Sequence, residues 1–329
     1  MRKLVVLFVC LALAGNALAL SGQSPASASR TLVFGAAQAA YPGASQEQAL
    51  TALQSSVGRS LAAVRVYDDW DTAFPNPYTS WLHKTGHAIV LSVRPKLTDG
   101  TVIPWASIAR AKPGDPLFAD MLRWAAGVKQ FGGHVYLVFH HEPETLGSAG
   151  YGTPADFVAA WRTWVGVMRG AGVINAEYVW TVAESNFFVA PTDSRYAPRY
   201  YPGDSLVDDI AVDAYNMYCL RTDGRYQQPW RSLQAVLAPL LAFAALHRAP
   251  GLLLAEWASP EDPRTPGRKA QWLVAARQLL KQPAYSRLKA VLYWNQLSPS
   301  FPNCDFRVTS SASSLAAFTA MANDPFYSG

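Results

Sequence analysis

The segment "FHHEPE", residues 139–144, sets two histidines and two glutamates at the end of an apolar run. A second apolar run, "GLLLAEW" from residue 251, ends in the same manner on Glu256. Hydrolysis of a glycosidic bond needs two carboxyls facing each other: one keeps its proton to help the leaving oxygen depart, the other is ionised and attacks the anomeric carbon. Identical side chains divide these roles through environment, since an apolar or negative setting retains the proton and hydrogen-bond donors favour the charge. Imidazole and carboxylate together also suit zinc, which makes a metal-dependent hydrolase the competing chemistry. No further ligand cluster of convincing spacing accompanies the His140, His141 and Glu142 group, so neither a metal nor a cofactor is expected.

The elements that position these residues follow from periodicity. Eight short apolar and β-branched runs begin at residues 31, 61, 87, 134, 176, 208, 251 and 288, and helical periodicity follows each. "FADMLRWAAGVKQF" and "QWLVAARQLL" are two of the amphipathic stretches, and Thr153-Pro154 with Asp156 reads as a capped helix start. This alternation predicts a single-domain α/β fold, a (β/α)8 barrel over residues 31–329. A doubly wound open sheet is the alternative, but its G-x-G-x-x-G turn is missing after the first strand. In such barrels catalytic groups sit at the C-terminal strand ends. Here those ends read "RVYDDW", "HHEPE", "AESN", "DAYN", "AEW" and "WNQ", bringing carboxylates, amides and aromatics to one face.

With these pieces in place, the chain resembles glycoside hydrolase family 26, a family of secreted retaining endo-glycanases best known for β-mannanases. The matching pieces are His141-Glu142, "FVAAWR" in the following helix, "YPGDSLVDDIAVDAYN", Glu256-Trp257 and "YWNQ". The resemblance implies that Glu142 is the acid/base, Glu256 the nucleophile and His141 a neighbour oriented toward nucleophile or substrate. It also implies that Tyr215 hydrogen-bonds the nucleophile and that Trp294 forms the floor under the sugar at the cleaved bond. Arg65 is assigned to hold Glu256 ionised if it points inward; alternation along its strand reads either way. Because the family's acid/base directly follows the histidine, Glu144 becomes a rim residue. The implied substrate is a β-linked polysaccharide of the mannan, β-glucan or xylan type, with a non-catalytic carbohydrate-binding barrel as the competing class.

Two departures from the family pattern bear on specificity. Many members continue His-Glu-Met-Asn-Gly into an aromatic-rich loop; here Pro143-Glu144 leads into "TLGSAGYGTP", with Tyr151 as the substitute aromatic. Strand seven reads Glu-Trp-Ala where a glycine is common. Among the 11 tryptophans, Trp70, Trp105, Trp257 and Trp294 lie near strand ends and are the subsite candidates, and Glu184 in "VAESN" is a candidate substrate contact. His140 is expected to be a packed barrel residue. Asp208 and Asp209 are expected to be helix-start or surface acids, and Asp213 a structural partner of the strand ends.

Arg2 and Lys3, an apolar stretch to Ala14 and Ala17-Leu18-Ala19 predict a signal peptide over residues 1–19, with cleavage as late as residue 28 as the variant. Residues 20–30 then form a flexible leader, and the product is a secreted monomer. The apolar run is too short to span a bilayer, so no membrane anchor is expected. Loss of residues 1–19 lowers the net charge from +5 to +3, and no basic run of the kind that tracks phosphates is present, which excludes nucleic acid as a partner. Of the three cysteines, Cys219 and Cys304 survive processing into an oxidising compartment and are expected to pair.

Overall fold

The computed structural model describes residues 30–146, 150–248, 251–298, 301 and 303–327. The predicted signal peptide and all but the last residue of the predicted leader lie outside the described residues. The strands are β1 (Val33–Ala37), β2 (Ala63–Asp69), β3 (Ala88–Arg94), β4 (Val135–Phe139), β5 (Ala176–Ala183), β6 (Asp209–Tyr215), β7 (Gly251–Ala258) and β8 (Leu288–Trp294). Each pairs in parallel with the next, and β1 closes on β8 with Val33–Ala37 opposite Ala290–Trp294. All eight begin within two residues of the predicted runs.

The helices are α1 (Gln46–Val57), α2 (Pro77–Lys84), α3 (Trp105–Arg110), α4 (Pro116–Phe131), α5 (Pro143–Leu146), α6 (Pro154–Gly170), α7 (Leu233–Ala245), α8 (Arg268–Leu279) and α9 (Ala312–Ala322). Their starts are specified locally. At α6 the Thr153 hydroxyl accepts from the Asp156 N–H, the Asp156 carboxylate accepts from the Thr153 N–H, and Pro154 opens the first turn. Ser45 and Gln48 make the same reciprocal pair at α1.

Two apolar layers hold the molecule. Inside the barrel, Ala63, Val90, Val138, Val179, Leu253 and Leu292 fill the space between strands. Outside it, Trp124, Trp161, Trp164, Trp257 and Phe318 are fully buried between strands and helices. One close approach explains a glycine: a Cβ on Gly35 of β1 would lie 2.2 Å from the Ala63 carbonyl oxygen of β2.

Two local distortions matter to the site. His140 and Glu142 both adopt left-handed backbone (φ 49° each), which bulky L residues rarely do. The surrounding hydrogen bonds hold this turn: the His140 N–H donates to the Val93 carbonyl and the Glu142 N–H to the Thr181 carbonyl. On β7, Val212 of β6 faces Leu254 whereas Asp213 faces Glu256, so β7 carries one extra residue. Leu253 and Ala255 both belong to the barrel interior and strict alternation would turn Glu256 outward. The bulge turns it back toward the barrel mouth.

Candidate active site

A cleft of about 860 Å3 opens over the C-terminal ends of the strands, a size usual for sites that take small ligands. His141, Glu142, Asp213, Tyr215, Glu256 and Trp294 line it, together with Arg65, Tyr67 and Glu184. The two glutamates identified from the strand ends therefore meet in one depression.

Glu256, 6% exposed, is held from both sides. The Tyr67 hydroxyl donates to its Oε1 (2.6 Å) and the Tyr215 hydroxyl to its Oε2. Arg65 Nε stands 3.8 Å from Oε1. Ala63 faces the barrel interior, so Arg65 and Tyr67, two and four residues on, share that face. This resolves the ambiguous alternation of β2 in favour of an inward Arg65. The guanidinium also lies over the Tyr67 ring, 4.7 Å from its centroid, and donates to the Val90 carbonyl (3.3 Å).

Glu142 has a different setting. Burial in the cleft, then the negative charges of Glu256 and Glu144, push its carboxyl well above the ordinary range, with Arg65 opposing. Its surroundings thus favour the protonated form. His141 packs against Tyr67 with centroids 5.2 Å apart, and burial beside Arg65 and His140 holds its imidazole well below its usual value, hence neutral. Asp213, 1% exposed, faces Glu256 in register, and neither of its carboxylate oxygens has a hydrogen-bond partner among the described residues. Burial and the charges of Glu256 and Glu142 push its carboxyl well up too.

Trp294 stands at the end of β8 with its ring edge-on to Tyr215 (5.8 Å) and to Phe306 (5.7 Å). Glu184 lines the cleft but is committed to Arg231, whose Nη2 lies 2.5 Å from Oε1 and Nη1 3.3 Å from Oε2. Burial raises its carboxyl, and Arg231 offsets only part of the rise.

Several expectations are corrected. Trp70, 1% exposed, donates from Nε1 to Asp120 Oδ2 and packs on Trp164, outside the barrel. Trp257, also fully buried, stacks on Trp272 of α8 at 5.5 Å. Trp105 donates to His140 Nδ1 (3.0 Å), and Tyr151 stacks on Trp105, so neither reaches the cleft. The reason is common to the three tryptophans. Nearness to a strand end does not say which face a residue takes, and large aromatic rings gain most by joining the core. Glu144 is not a rim residue: it is 2% exposed, and its Oε1 accepts from the Ala183 N–H (2.6 Å) and from Asn186 Nδ2 (3.3 Å). Burial pushes its carboxyl up to about 8. Asp209 is buried at the start of β6, 2.9 Å from Lys289, rather than on the surface. His140, by contrast, is fully buried as expected.

Tyr67 and Arg231 were not singled out from the sequence. The signal for Tyr67 was present, since it follows Arg65 by two residues and shares its face. Arg231 lies 47 residues from Glu184 in a loop, where local pattern carries no information. Cys219 and Cys304 are joined, with Cα atoms 5.2 Å apart, tying the segment after β6 to the segment after β8.

No protein-family model matches the chain. It is 26% identical over 326 residues to endoglucanase H of Acetivibrio thermocellus, a match that covers 96% of this chain and 33% of that protein. The chain thus spans about a third of the length of that curated relative. Among solved structures, the catalytic domain of a GH26 endo-β-1,4-mannanase from Bacillus sp. JAMB-750 matches with TM-score 0.61 at 17% identity, covering 91% of this chain and 87% of that one. A GH26 β-mannanase from Bacteroides ovatus gives 0.59 at 19%, covering 90% of each chain. The modular endo-β-1,4-mannanase of Cellulomonas fimi gives 0.59 at 19%, covering 90% of this chain and 71% of that one. At such identities the structural likeness establishes the fold alone, a (β/α)8 barrel similar to those of these structures.

Proposed function

We propose that this GH26-like chain is a secreted retaining endo-β-glycosidase that cleaves a β-linked polysaccharide by double displacement, with Glu256 as nucleophile and Glu142 as acid/base. One observation carries the reading: two carboxyls share a cleft in opposite settings. Glu256 accepts two phenolic hydrogen bonds beside Arg65, the surroundings of an attacking carboxylate, whereas burial and negative neighbours favour the protonated Glu142.

In the first step Glu256 attacks the anomeric carbon while Glu142 gives its proton to the departing oxygen. With Glu256 then esterified to the sugar, the negative charge that held the Glu142 proton is gone, and Glu142 is set to take a proton from the incoming water. In this reading His141, packed against Tyr67, serves on the nucleophile side, and Trp294 carries the apolar face of the sugar. Retention requires carboxyls about 5–5.5 Å apart, too close for an inverting water. The relatives bearing mannanase and endoglucanase names support a mannan or β-glucan backbone, with xylan as the third arm of the test. The apolar N-terminal run and the disulfide support export.

The test is a reducing-sugar assay on linear mannan, mixed-linkage β-glucan and xylan, with the anomer first released followed by NMR. Cleavage of at least one polymer with a β-anomer appearing first is expected. Initial release of the α-anomer would rule out the double displacement, and binding without cleavage would make the chain a carbohydrate-binding barrel.

A further inference from the structure

A second hollow of about 480 Å3 lies beside the cleft, between the segment after β1, the face of α1 from Ala49 to Ser56 and the segment after β8. Gln38, Ala39 and Gln296 form the wall common to both. The floor is apolar, from Ala49, Ala52 and Leu53 of α1, and Tyr41, 49% exposed, stands at its edge. The rim is uncharged amide and hydroxyl. Asn295 Nδ2 donates to Gln38 Oε1 (2.6 Å) and Gln38 Nε2 to the Ala39 carbonyl (2.8 Å), so the shared wall is held in place. The cation of the hollow, Arg307, is matched by Asp305 in a two-pronged pair at 2.7 and 2.9 Å.

An apolar floor, an exposed aromatic ring, amide groups and no unbalanced charge describe a site for a neutral ring that has one apolar face and a hydroxylated edge. That is a sugar, not an anion, a cation or a lipid. Its place relative to the cleft defines its attachment. Asn295 directly follows Trp294, so a unit in the hollow lies next to the sugar that Trp294 supports. Gln46, Gln227 and Phe301 also line the cleft, and none of them borders the hollow. A linear chain can thus follow the cleft without entering the hollow, which leaves the hollow open to a branch.

We propose that this lateral hollow receives a neutral glycosyl side branch, carried on the backbone sugar adjoining Trp294, so that the chain acts on decorated β-glycans. The proposal rests on the glycosidase reading above. It assigns to Tyr41 and the α1 surface a role in specificity and none in the chemical step.

Two variants test it. Ala52→Trp fills the hollow from an exposed position on α1, and Tyr41→Ala removes the ring at its edge; both lie outside the catalytic machinery. kcat/KM is measured on linear and branched polymers of one backbone: mannan against galactomannan, unsubstituted β-1,4-glucan against xyloglucan, xylan against arabinoxylan. Wild type is expected to cut both members of at least one pair. Ala52→Trp is expected to lose about tenfold or more on the branched member, the scale on which a pocket discriminates by size, while staying within about twofold on the linear one, which also reports correct folding. Tyr41→Ala should move in the same direction by less. Equal losses on both members would make the hollow part of the linear path and overturn the proposal. Unchanged activity of Ala52→Trp on the branched member, or a wild type that rejects every branched polymer while cutting the linear one, would also overturn it. Failure to cut any polymer, linear or branched, would instead remove the glycosidase reading and this proposal with it.

Discussion

Glu142 and Glu256 carry the same side chain, and their neighbours divide the work between them. Glu256→Ala removes the attacking group, so activity should collapse by about a thousandfold or more on every substrate, whatever its leaving group. Glu142→Ala should spare the first step on an aryl glycoside whose phenolate leaves unaided, and azide should restore turnover by attacking the intermediate without a general base. Glu144→Ala should show no such rescue. Its deficit belongs to stability, because the Ala183 N–H loses its buried acceptor at a cost of about 1–3 kcal/mol. Azide rescue of the Glu144 variant with a near wild-type Glu142 variant would reverse the assignment. The pH profile supplies a second check. Glu142 must hold a proton and its value is raised by burial and then by Glu256 and Glu144, so kcat/KM should fall as pH rises through that raised value. Glu144→Gln keeps an acceptor for Ala183 and deletes a carboxyl that, ionising near pH 8, becomes a negative neighbour of Glu142 on the alkaline side. The alkaline limb should then move to lower pH; a limb that stays fixed or moves upward would assign the titration to another group.

At the scale of elements, the site depends on backbone that departs from regular structure. The left-handed turns at His140 and Glu142 cost about 1–3 kcal/mol each, and the hydrogen bonds to Val93 and Thr181 keep them in place. The bulge in β7 likewise re-aims one carboxylate. Beside them, the Cys219–Cys304 bond fastens the segment that carries Phe301 and Phe306, both of which line the cleft. Thiol titration of the unfolded, unreduced protein should find almost no free thiol in the mature chain, and two per chain would refute the pairing. The Cys219→Ser, Cys304→Ser double variant should lose about 2–4 kcal/mol of stability. Because the bond braces a wall and touches neither glutamate, KM should rise several-fold with kcat changed less. A large fall in kcat at unchanged KM would place the bond's effect on the chemistry instead.

Across the whole molecule, the segment after α9 is fastened to the approach to β1 and to α8. The Leu32 N–H donates to the Phe326 carbonyl, Tyr327 Oη donates to the Arg277 carbonyl, and Asp324 pairs with Arg277 (2.7 Å) and with Lys281. Burial raises the Asp324 carboxyl, but Lys281, the Phe326 N–H and Arg277 more than offset it and leave it at about 2, below the ordinary 3.8. A depressed carboxyl stabilises the fold above its unfolded value, and that contribution is lost as pH falls from about 4 through 2. With the partner side chains one-third exposed, it amounts to about 1–2 kcal/mol. Asp324→Ala should therefore lower Tm by a few degrees at pH 7 and by much less at pH 2; an equal loss at both would assign the effect to packing. The eight strands and the presence of Glu142 and Glu256 at their ends were legible in the sequence, because strand burial and strand ends are set by residues close together in the chain. So was the helix start at Thr153, whose partner lies three residues away. Only the tertiary structure decided that Arg65 and Tyr67 face Glu256, that a bulge turns Glu256 inward, that Trp70 and Trp257 belong to the core and that Glu144 lies beneath the site. Each of these depends on a partner brought near by barrel closure, Tyr67 and Glu256 being 189 residues apart, and no local pattern records which face of a strand such a partner will meet.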